Sequence, residues 1–351
     1  GKVDEAERGF RGVLTAREKS GGADDPMALQ ALSQISEVQK VWEDYDAAEK
    51  TLRRVIEGQT RVLGPGSRDV IESRSGLADL LNQAAKFAEA EKEVNETVAA
   101  ARKSLGENDP ATLQAMSIQG AILNELSRTE EATATMREVV DRKSKVFGED
   151  HPQTLTSMNT LGTSLETLKR YEESEPLYRR LIKGAMARLG PEHPTTLIYR
   201  NNLAQSLRRQ KKFDLAEPEY REVLAIQRRT LGNQAKSTLV TLNNLGLMLL
   251  QAKKAADALP LLRETLKGLE ATSAPDDWMV GASKTYVGEC LTELGQLDEA
   301  EKMLTESYTI LAAKMGPTHD RAKLAANDLA RVYELKGMAE KAAEWKGKGG
   351  S

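Results

Sequence analysis

The chain has 351 residues, 50 basic and 53 acidic side chains, a formal net charge of −3, and 4% aromatic against 29% charged residues. Charge this balanced excludes bulk attraction to nucleic acid or an anionic membrane. The single cysteine excludes an intramolecular disulfide and a cysteine-rich metal knuckle, and no apolar run approaches the roughly 18 residues of a membrane span.

The predicted elements begin in mid-pattern. Gly1-Lys2-Val3-Asp4-Glu5-Ala6-Glu7 aligns with Gly295-Gln296-Leu297-Asp298-Glu299-Ala300-Glu301, and Phe10 falls in the column of Tyr178 and Tyr220. Residues 1–20 therefore read as an orphan second helix of a truncated repeat, with the chain expected to be cut from a longer protein. A phrase then recurs at Leu63-Gly64-Pro65, Leu105-Gly106-Glu107, Phe147-Gly148-Glu149, Leu189-Gly190-Pro191 and Leu231-Gly232, each step being 42 residues. The same step extends back to Gly21 and forward to Ser273 and Met315. Such a fixed period marks a stacked, solenoid-type array, here of about eight helix pairs over residues 21–346.

Counting from those anchors, position 15 holds Ser36, Ala78, Gly120, Gly162, Ala204, Gly246, Gly288 and Ala330, all small. Position 27 is equally small, from Ala48 through Ser174 and Ala216 to Ala342. Glycine inside a helix costs roughly 1 kcal/mol against alanine, so its recurrence at one register needs close helix–helix approach. First helices are predicted to start where Asp25, Ser67, Asp109, His151 and His193 occupy a cap position, with Pro26, Pro110, Pro152 and Pro194 next in line. A break is expected near position 22. The second helix then runs to a glycine just past its end; Ala274 interrupts that column, so the helix end there is the least defined. After Trp345, residues 347–351 read as a flexible tail.

Leu203-Ala204-x-x-Leu207 followed by Ala216-x-x-x-Tyr220 resembles the tetratricopeptide (TPR) signature. The TPR period is about 34 residues, and the longer repeats here, with Thr241-Leu242-Asn243-Asn244-Leu245-Gly246 and Ala216-Glu217-Pro218-Glu219-Tyr220-Arg221, resemble those of kinesin light chains and their bacterial relatives. The resemblance implies an all-α fold, an α-solenoid of stacked antiparallel helix pairs wound into a right-handed TPR superhelix.

Little in the chain suggests chemistry. His151, His193 and His319 all stand at position 4, where a cap and loop role outweighs a metal site, and Cys290 shares its column with Val38, Leu80 and Met248, as a packing thiol would. There is no phosphate-cradling glycine loop of the P-loop type. An enzyme is not expected, nor a cofactor, nor a metal.

TPR arrays line their concave groove with first helices, so the resemblance implies that Asn159, Asn201, Asn202, Gln205, Arg208, Arg209, Asn243 and Asn244 look inward. Side-chain amides carry donor and acceptor and can pair with any extended backbone; arginines add carboxylate selection. The competing reading is that the asparagines tie neighbouring first helices together. Residues 178–212 carry nine basic side chains against Glu192 alone, and 276–306 carry eight acids against two lysines. The basic block is either a solvated face or a docking patch for an acidic peptide, with nucleic acid well behind. The expected role is a cytoplasmic, non-catalytic scaffold for a peptide or partner protein, without membrane association. The alternative is a regulatory or sensor segment of a larger bacterial signalling protein, contacting its own catalytic domain, for example a Ser/Thr kinase. The absence of lysine at position 12 disfavours a carboxylate clamp of the chaperone-tail type.

Overall fold

The computed structural model describes residues 2–350. These form seventeen helices and no strand, in two compact units that divide after Arg188. The first unit holds α1 (Lys2–Gly21), α2 (Pro26–Val41), α3 (Tyr45–Leu63), α4 (Arg68–Gln83), α5 (Phe87–Ser104), α6 (Pro110–Glu125), α7 (Thr129–Phe147), α8 (Pro152–Thr167) and α9 (Tyr171–Leu189), whose last residue crosses the division. The second holds α10 (Pro194–Arg209), α11 (Phe213–Leu231), α12 (Lys236–Gln251), α13 (Ala255–Thr272), α14 (Trp278–Glu293), α15 (Leu297–Met315), α16 (Asp320–Leu335) and α17 (Ala339–Gly349). Even-numbered helices are the first of each pair and odd-numbered ones the second. Within each unit a helix packs mainly on its chain neighbours, and first helices such as α4 and α6, or α14 and α16, also touch directly.

Caps set the helix starts. Asp109 accepts the Ala111 amide at 2.9 Å and Asp277 the Met279 amide at 2.7 Å, each satisfying one of the orphan donors of a first turn. The second helices stop where Gly22, Gly64, Gly106, Gly148, Gly190, Gly232 and Gly316 take φ of 84° to 96°, a conformation open chiefly to glycine. At the Ala274 repeat no glycine is available; α13 ends one residue early and Ser273 leaves it extended, with φ −120°. The break inside each pair falls on a left-handed residue at position 22, from Glu43 (φ 59°) to Gly337 (φ 73°).

The small columns have a direct cause. A Cβ added at Gly162 would lie 2.7 Å from Tyr178 Cε1, at Gly246 2.6 Å from Leu262 Cγ, and at Gly288 2.5 Å from Leu304 Cγ. Position 15 is thus small because position 31 of the same repeat presses into it. Tyr178 and Tyr220 are among the largest fully buried side chains.

Two features were not read from the sequence. Arginines reach carboxylates 36 residues away on the next second helix, as Arg102 does to Glu138 at 3.2 Å and Arg263 to Glu299 at 2.6 Å. The tail also differs from expectation. Helix α17 continues through Gly347 to Gly349, because Trp345 packs edge-on against Tyr308 at 4.9 Å and Lys348 both covers the Trp345 ring and binds Glu344 at 2.7 Å. Residue 351 lies outside the described residues.

Candidate functional site

Asn159 stands on α8 in the first unit, and the other seven predicted site residues stand on α10 and α12 in the second. Asn201 is buried, 9% exposed. Its Nδ2 donates to Thr241 Oγ1 at 2.7 Å, and its Oδ1 accepts from Asn244 Nδ2 at 3.2 Å. These two asparagines therefore join α10 to α12, as buried amides must find partners. In the first unit Asn124 and Ser164 make the same kind of bridge, from α6 to α8, at 2.8 Å. Asn243 and Gln205 differ: both are half-buried, and neither makes a side-chain hydrogen bond among the described residues. Arg208 donates from Nη1 to Gln251 Oε1 at 3.1 Å, and Arg209 is exposed. Asn202 is half-buried on the turn between them and Asn201.

The basic block at 178–212 is partly neutralised by ion pairs within each unit. Arg179 and Arg180, in the first unit, bind Glu175 at 2.9 Å and Glu149 at 2.6 Å. In the second unit Arg200 is buried and meets Glu222 through both terminal nitrogens at 2.7 Å, and Glu219 as well. The acidic block is matched in the same way, Asp276 by Lys314 and Glu306 by Lys284, each at 2.5 Å.

Six matches to the tetratricopeptide repeat, at residues 43–103, 69–145, 112–187, 165–220, 195–271 and 281–348, the first five overlapping in series, take in most of the chain. The chain belongs to the tetratricopeptide-repeat family. No curated protein matches it. Among solved structures, this TPR array is similar to a candidate kinesin light chain of Podosopora anserina built of nearly identical TPR-like repeats, with 21% identity, coverage of 57% of this chain and 95% of that one, and TM-score 0.52. It is similar to BtubC (BKLC) from P. vanneervenii, with 19% identity, 67% and 92% coverage and TM-score 0.53. It is also similar to the apo form of the quorum sensor NprR from B. thuringiensis, with 12% identity, 98% and 96% coverage and TM-score 0.62. These likenesses are of fold, and the fold is the TPR array of kinesin light chain-like type.

The histidines of the TPR array cap helices: Nδ1 of His151, His193 and His319 accepts the amide two residues on, at 3.3, 3.2 and 3.2 Å. Cys290 is fully buried, and burial beside Glu289 and Glu293 pushes its thiol up to about 12. Among the described residues no three His, Cys, Asp or Glu side chains gather as metal ligands, and no helix is long and apolar enough to cross a membrane.

Sequence reasoning missed three features. Lys143 on α7 is 2% exposed and donates to Ser117 Oγ at 2.9 Å and Ser157 Oγ at 3.1 Å, and burial pulls its ammonium down to about 8. Asp328 on α16 is driven up to about 7 by burial and by Glu289, against the pull of Arg331. The third is a cavity of about 540 Å³ among α12, α13 and α14, with Arg321 of α16 at its edge. Its wall includes Leu239, Leu269, Trp278 and Tyr286. A signal for it existed: Trp278 occupies the column of Pro110, Pro152 and Pro194, and Tyr286 that of Asn202 and Asn244.

Proposed function

We propose that this TPR array is a non-catalytic scaffold that holds an extended, acidic peptide or partner segment along its first helices, centred on α10 and α12. The observation that carries this reading is the pair of unpartnered amides, Gln205 and Asn243, beside a matched pair, Asn201 and Asn244, that holds the two helices together. An amide left over in a half-buried setting can accept from and donate to a passing backbone whatever its sequence. Arg208 and Arg209 follow on the same helix and select acidic side chains; Asn202 extends the polar track. A second reading, a sensor or regulatory segment of a longer signalling protein, is supported by the likeness in fold to the quorum sensor NprR over 98% of the chain.

The test is fluorescence anisotropy against a library of extended acidic and neutral peptides. Arg208→Glu with Arg209→Glu is expected to weaken acidic-peptide binding at least tenfold with an unchanged circular dichroism spectrum. Raising salt should weaken the wild type, since exposed charges are screened within about 8–10 Å. Unchanged peptide selection in the double variant would overturn the groove.

A further inference from the structure

We propose that the cavity among α12, α13 and α14 is a binding site for a small amphiphilic carboxylate bearing an amide, of the N-acyl amino acid type. Its volume, about 540 Å³, lies in the range of small-molecule sites, which combine an apolar wall with a few convergent polar groups. The lining contains no aspartate or glutamate and two cations, Lys236 and Arg321. Neither cation has a carboxylate partner among the described residues; Lys236 is exposed at the cavity mouth, and Arg321 is half-buried. Arg321 lies over the Trp278 ring at 4.5 Å; a guanidinium stacked on a ring keeps its in-plane donors available for an anion.

The polar groups are ordered along the helix axis. Lys236 and Trp278 occupy the first helical residue of α12 and α14, so the carboxylate end is at the helix N-termini. Asn243 is seven residues further on, about 10 Å along the axis, and has no side-chain partner. Ser283 is 2% exposed, and its hydroxyl has no hydrogen-bond partner although it lines the cavity. A buried hydroxyl without a partner is a rarity that calls for one. An amide within the ligand supplies both a donor and an acceptor for Ser283 and Asn243, and the acyl chain covers Leu239, Leu269 and Tyr286.

Isothermal titration calorimetry tests this with N-octanoylglycine, octanoate, which lacks the amide, and N-octanoylglycinamide, which lacks the charge. N-octanoylglycine is expected to bind one to one, several-fold tighter than octanoate and at least tenfold tighter than the neutral amide. Lys236→Glu with Arg321→Gln should cost at least tenfold, and Ser283→Ala should narrow the gap to octanoate. Arg208→Glu with Arg209→Glu should change nothing, which separates this site from the peptide reading, with which it shares only Asn243. No saturation at 1 mM, equal binding of the neutral amide, or indifference to the Lys236 and Arg321 changes would overturn the site. So would binding of an acetylated acidic peptide to this cavity with none of the small acid.

Discussion

Asp328 sets the pH response of its repeat. Its Oδ2 is buried without a hydrogen-bond partner, Glu289 across on α14 is itself raised by burial, and the nearest cation, Arg331, is engaged by Glu293 at 2.8 Å. With the carboxyl held at about 7, the folded chain keeps a proton that the unfolded chain releases near 4. Stability is therefore greatest below about pH 4 as far as this group is concerned, and falls as pH rises to about 7, by an amount on the order of 2–4 kcal/mol. Asp328→Asn is expected to flatten urea-unfolding midpoints between pH 4 and 7 and to raise the value at pH 7.5. A wild-type midpoint that climbs over that interval, with Asn no better, would show the carboxylate to be solvated. None of this was legible in the sequence. The caps of His151 and His193 were, because a cap followed by proline is a local signal, whereas the charge that raises Asp328 beyond its burial comes from Glu289, thirty-nine residues away.

At the scale of the helix pair, the small columns were the most legible feature, because an interior glycine contradicts helix propensity unless something lies against it. The structure supplies the contact at Gly162, where a single added carbon would lie 2.7 Å from Tyr178. A tyrosine ring, unlike a leucine tip, cannot rotate aside at little cost. Gly162→Phe is expected to destabilise by at least about 1–3 kcal/mol through overpacking, and Arg209→Ala, on the exposed side of a first helix, to stay within about 0.5 kcal/mol of wild type. Chemical denaturation of the two variants gives the comparison, and equal midpoints would mean that the columns are misassigned. The polar columns were far less legible. Asn201 and Asn243 share position 12, yet one is buried in a helix-to-helix bond and the other has no partner. Their difference comes from Thr241 and Asn244 on the neighbouring helix, so a single column cannot separate cohesion from recognition.

Across the whole molecule, the invariant 42-residue step made the fold readable, since every repeat must bury its apolar face on the next. The step should therefore act as a rule for editing the chain. Removing residues 78–119 joins Leu77 to Gly120, position 14 to position 15, and leaves a first helix of normal length whose apolar residues, Ile71, Leu77 and Leu123, keep their phase. Its glycine still faces Met136 of α7, which now follows as its own second helix. Removing residues 78–113 deletes almost as much chain but leaves six surplus residues inside that helix, rotating everything after them by about 240° and turning Leu123 away from the core. The first deletion is expected to keep the ellipticity per residue at 222 nm and a cooperative urea transition, somewhat less stable for the lost interface. The second is expected to lose helicity and to unfold over a broader range. If the two variants unfold alike, the periodic register is not what holds the repeats together, and helix length alone would have to account for the stacking.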